Sequence, residues 1–102
     1  KCFTIETVVE RACHAPARLF QVEERGYLRE GYWADIVLVD PSRNTSVKNT
    51  ELLSKCQWSP FPHMTFTNSV DTTIVSGRIA YQGGKIIPAC RGQRVEFSKQ
   101  RR

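Results

Sequence analysis

The sequence predicts an α+β chain, with a helical segment over residues 1–25 followed by a mainly β portion over residues 26–102. Three observations carry this. Ile5, Val8, Val9, Ala12 and Cys13 follow the i, i+3, i+4, i+7, i+8 spacing of one apolar helix face. From Gly26 onward the apolar residues become β-branched and bunch into short runs, led by Ala34-Asp35-Ile36-Val37-Leu38-Val39-Asp40. Gly77 and the Gly83-Gly84 pair then punctuate the C-terminal part as hairpin turns do.

In chain order, Thr4 is placed to cap the first helix, with Glu6 near the positive end of its dipole. Pro16 interrupts that helix or opens a second short one at its first turn, continued by Ala17, Leu19 and Phe20. Glu23, Glu24, Arg25 and Gly26 form a stop signal. The 34–40 run has no alternation, so both of its faces are expected to be buried. Pro41 to Asn44 predict a turn and Thr45 to Val47 a short strand, and Asn49 or Thr50 is placed to cap a helical turn through Leu52 and Leu53. Ser59-Pro60-Phe61-Pro62 predicts a loop, because two prolines remove two strand donors. Val70 to Ser76 reads as a strand, Gly77-Arg78 as a turn, Ile79 to Tyr81 and Lys85 to Ile87 as strands, and Arg94 to Phe97 as a last short strand.

Composition narrows the function classes. The 102 residues fit one small domain, and 40% hydrophobic with 25% charged residues excludes wholesale disorder. No apolar run approaches the roughly 20 residues of a membrane span. Nothing behind Lys1 resembles the apolar core of a signal peptide, so the chain is expected to be soluble and cytoplasmic. With Lys1 in place of Met, the chain is expected to be a fragment or a processed product. The net charge of +5 is spread over Arg91, Arg94, Lys99, Arg101, Arg102 and other scattered positions. No aromatic platform collects it, which favours a solvated basic surface over a nucleic-acid partner.

The candidates for chemistry do not converge. Cys2, Cys13, Cys56 and Cys90 contain no C-x-x-C pair, and neither His14 nor His63 has a second ligand at metal spacing. The thiols are therefore read as free and buried or half-buried, His14 as a partner of helix-end carbonyls, and His63 as a surface-loop residue. Cys13 lies on the apolar helix face, which favours packing over nucleophilic catalysis. Trp33, Trp58, Phe61 and Phe66 could line a ligand platform but read more naturally as core of a small β domain. Asp35 and Asp40 flank one strand, some 16 Å apart at about 3.3 Å per residue. That is too far for paired acid–base work, and they read as strand-end acids that cap turns. From its residues alone, the chain carries no catalytic, cofactor-binding or metal-ligating residue.

The string Cys13-His14-Ala15-Pro16-Ala17-Arg18-Leu19-Phe20, then Gly26, Gly31 and the 34–40 run, resembles the C-terminal end of the amidohydrolase superfamily. The pattern Val70-x-x-Thr73-Ile74-Val75-x-Gly77-Arg78-x-x-Tyr81-x-x-Gly84 is similar to that superfamily's closing hairpin. Ser54-Lys55-Cys56-Gln57-Trp58-Ser59-Pro60-Phe61 resembles the S-K-x-x-x-[ST]-P-F segment of dihydroorotases. His14 and His63 stand where the pattern commonly has other residues, glycine in the second case.

The resemblance implies a zinc-dependent cyclic amidohydrolase built on a TIM barrel, with its metal at the C-terminal ends of the barrel strands. Zinc held by histidines, a carboxylated lysine and an aspartate would activate a water against the ring amide carbonyl. None of those ligands maps onto this chain. Residues 1–25 would be the terminal helical segment of the barrel, and 26–102 most of a sandwich-like composite β domain. The partner would be the N-terminal barrel of the same polypeptide, and a homo-oligomer stays open. Unpaired strand edges and an exposed apolar helix face follow as expectations. Three readings compete with this one: the C-terminal portion of another cyclic amidohydrolase of the hydantoinase or allantoinase kind, a stand-alone basic nucleic-acid module, and a small independent enzyme using Cys13 or His63.

Overall fold

The computed structural model describes residues 3–99. Its N-terminal part is one continuous helical rod of three pieces: α1 (Ile5–Val9), a π-helical turn (Glu10–His14) and α2 (Ala15–Leu19). The Thr4 cap is as expected: its backbone is extended and its hydroxyl oxygen accepts from the Thr7 N–H at 3.2 Å. Pro16 does not break the rod. A proline ring would press on the carbonyl four residues back, and it offers no N–H there. The backbone widens instead, with the Ala15 N–H donating to the Glu10 carbonyl five residues earlier, and Pro16 then sits in the first turn of α2.

The helix ends sooner than Gly26. The Val22 N–H donates to the Ala17 carbonyl at 2.9 Å and the Gln21 N–H to the Arg18 carbonyl at 3.3 Å. Gln21 is left-handed, with φ 55°. These are the bonds of a Schellman ending, with glutamine where glycine is usual. Gly26 has a different task from the stop signal read in the sequence. It crosses back over the rod so closely that an added Cβ would lie 2.4 Å from the Ala17 Cβ and 2.9 Å from the Cys13 carbonyl oxygen.

The β portion is a four-stranded antiparallel sheet in the order β1 (Ile36–Asp40), β4 (Ser69–Val75), β5 (Arg78–Gln82), β6 (Lys85–Ile86). Between β1 and β4 the chain makes an excursion that carries a two-stranded ribbon, β2 (Thr45–Ser46) with β3 (Thr65–Phe66). The hairpins close tightly. Ser76-Gly77 (φ 50° and 80°) joins β4 to β5, and Gly83-Gly84 (φ 56° and 84°) joins β5 to β6. Both turn residues are left-handed in each case, the two-residue geometry that matches strand twist. The first turn therefore falls one residue before the Gly77-Arg78 reading. One residue is skipped on β4 opposite Leu38/Val39 and one on β5 opposite Thr73/Ile74, giving two bulges that add twist.

Three further expectations are corrected. Asn49–Glu51 forms a single 3-10 turn preceded by Lys48, with no side-chain cap from Asn49 or Thr50. Arg94 to Phe97 is not a strand. It makes one bridge, Val22 to Phe97, reinforced by the Glu23 N–H on the Glu96 carbonyl and the Ser98 N–H on the Gln21 carbonyl, each at 2.9 Å. The third concerns burial. β1 lies at a sheet edge, and Val37, Leu38 and Val39 are each half or more exposed. A run without alternation asks for cover on both faces, and the described residues supply neither.

Little core forms within the chain. Among the described residues only Ala17 (7% exposed) and Thr72 (4% exposed) are buried. The Thr72 hydroxyl is satisfied by donating to the Asp71 carboxylate at 2.9 Å. The accessible surface is 9009 Å², against about 5,900 Å² for a compact monomer of this size. The radius of gyration is 16.0 Å, where about 13 Å is usual. The expected apolar helix face is bare: Ile5 is 81% and Leu19 76% exposed, with Phe3, Val8 and Phe20 also open to solvent.

Candidate functional site

Ring stacking, ion pairing and side-chain hydrogen bonds gather at the seam where residues 21–35 cross the helical rod. Glu10, His14 and Arg18 stand one helical turn apart and present their side chains to the crossing segment. His14 Nδ1 and Glu10 Oε2 are 3.3 Å apart, and the His14 ring stacks on Tyr27 at 4.1 Å with only 8° between planes. Arg18 donates to the other Glu10 oxygen through Nη2 and to the Tyr27 hydroxyl at 2.9 Å through Nη1. The Arg18 hydrogen bond, first among the causes, holds the Glu10 carboxyl below its ordinary value. His14 is thus a stacking residue that hydrogen-bonds Glu10 rather than a partner of helix-end carbonyls. A histidine followed thirteen residues later by a tyrosine gave no periodic signal that could have revealed it.

Asp35 knits three elements together. One oxygen pairs with Arg25, whose side chain is only 10% exposed, and the other accepts the Ser76 N–H at 2.7 Å. The Gly77 N–H donates to the Ala34 carbonyl at 2.9 Å, which fixes the β4–β5 turn against the start of β1. Asp40, at the other end of β1, accepts from the Ser42 N–H at 2.9 Å and the Ser42 hydroxyl at 2.6 Å. The Ser42 hydroxyl is the main reason its carboxyl lies below the ordinary range. The turn-capping reading of both acids therefore holds.

The remaining candidates stay apart. Cys13 and Cys56 are exposed and Cys90 is half-buried, so the first two are not the packed thiols expected; Cys2 lies outside the described residues. Backbone N–H donation at Trp58, with the Ser54 hydroxyl second, lowers the Cys56 thiol below its usual value. Trp33 lies against Arg25, 5.2 Å from guanidinium to ring. Phe61 and Phe66 meet edge to face at 5.9 Å within the excursion. Trp58 and these three are all substantially exposed and form neither a shared platform nor a core. His63 is exposed on the same excursion with φ 60°. That is the backbone glycine adopts most readily, which gives a physical reason for the glycine common at this place in the family pattern.

Among the described residues, no three His, Cys, Asp or Glu side chains lie close enough together to hold a metal ion. The residues present therefore do not fit a zinc centre, and no catalytic step is assigned to them. No helix among them is long and apolar enough to cross a membrane.

A small antiparallel sheet preceded by a helical rod, with an acid-anchored edge strand, is the fold to set beside known proteins. The profile of the amidohydrolase family matches residues 1–80, and the chain belongs to that family. Within it, the chain is similar to the dihydroorotase of Clostridium acetobutylicum, 38% identical over 79 residues, which covers 78% of this chain and 18% of that protein. The dihydroorotase of Pyrococcus furiosus is 30% identical over 100 residues, covering 97% of this chain and 24% of that protein. Among solved structures, the L-hydantoinase (dihydropyrimidinase) from Arthrobacter aurescens superposes with a TM-score of 0.77 at 30% identity, over 83% of this chain and 19% of that one. The chain thus spans about a fifth of the length of these relatives.

Proposed function

We propose that this chain is the C-terminal portion of a dihydroorotase, the zinc-dependent hydrolase that interconverts dihydroorotate and N-carbamoyl-aspartate in pyrimidine biosynthesis. Its own role is structural. Residues 1–25 would close the ring of helices around a TIM barrel, and 26–102 would form most of a composite, sandwich-like domain that braces it. The zinc ligands and the catalytic aspartate would belong to the rest of the polypeptide, in the cytoplasm, and this chain alone would be inactive.

The observation that carries the reading is the bare apolar surface, in a chain whose family is established. Ile5, Val8, Leu19 and the whole of Val37–Val39 are open to water. At about 25 cal/mol per Å² of apolar area, such surface is strongly favoured to be covered. Relatives bearing the dihydroorotase name, 27–39% identical, support that member of the family. So does the Ser54–Phe61 segment. The hydantoinase superposition favours one second reading, a hydantoinase-type cyclic amidohydrolase built in the same way.

The test is a hydrolysis assay on the polypeptide encoded by the complete reading frame. Ring opening of dihydroorotate with little action on hydantoins is the expected result. The reverse preference would establish the second reading, and inactivity on both rings in zinc-loaded protein would overturn the proposal.

A further inference from the structure

We draw no further inference here: the strongest candidate, the exposed apolar patch of Leu53, Trp58, Phe61 and Met64 on the excursion between β2 and β3, carries nothing because nothing in the structure shows what covers it.

Discussion

The two faces of the helical rod differ sharply in what covers them. On the inner face, Ala17 is buried and Gly26 lies in direct contact with it, while His14 and Arg18, both bonded to Glu10, hold Tyr27 of the crossing segment. On the outer face, Ile5 and Leu19 stand almost free in water. Both faces arise from the same fifteen residues, Ile5 to Leu19, and from the same backbone geometry. The difference teaches that the seam finds its partners within residues 10–35, whereas the outer face finds none among the described residues. β1 repeats the contrast: Asp35 and Asp40 are fully engaged at its ends, and the valines and leucine between them are bare.

The strongest way to break the seam is Gly26→Ala in the full polypeptide. The new methyl meets Ala17 at 2.4 Å and must adopt φ 84°. Overpacking and a left-handed alanine together should destabilise by about 3 kcal/mol. Gly31→Ala sharpens the comparison. Its φ is 81° with nothing within 4 Å, so only the backbone penalty of about 1 kcal/mol remains. Denaturant midpoints measure both, and equal losses would show that Gly26 is not a close-contact position.

A smaller loss is expected from Asp35→Ala. It strands the nearly buried Arg25 and leaves the Ser76 N–H without its acceptor. Asp35 itself is about a third exposed, so the cost should be about 1–2 kcal/mol, below that of a fully buried pair. On the excursion, His63→Gly should act in the opposite direction and stabilise by about 0.5 kcal/mol, because glycine relieves the left-handed backbone at φ 60°. A loss of stability there would mean that the His63 side chain makes a contact of its own.

The smallest effect is on acid stability. The Glu10 carboxyl titrates below its ordinary 4.5 in the folded chain, chiefly through Arg18. A depressed folded value contributes stability that is present above the ordinary value and is lost as pH falls through the folded one. Stability should therefore decline below about pH 4.5, and Glu10→Gln should flatten that decline. An acid limb unchanged in the variant would show that the pair with Arg18 does not contribute.

Much of this architecture was legible in the sequence, and the misses share a cause. The Thr4 cap, the Gly83-Gly84 turn and the Asp40 cap on Ser42 depend on a few neighbouring residues, and all three are readable. The π-helical turn at Pro16, the left-handed Gln21 and the contact at Gly26 depend on what the chain meets when it returns, which no local pattern encodes. The 34–40 run contains the strand its residues predict, Ile36–Asp40, but not the cover they predict. A sequence shows that a strand is fit for burial, but burial itself requires a partner. The His14–Tyr27 stack was invisible for the same reason, since its members have no common period.

The central claim is that the outer helix face and β1 are made to be covered by the rest of the polypeptide. Sedimentation velocity of the 102-residue chain expressed alone tests it most directly. The account predicts concentration-dependent association, suppressed when Ile5 and Leu38 are both replaced by serine. A strictly monomeric chain that unfolds cooperatively would contradict it.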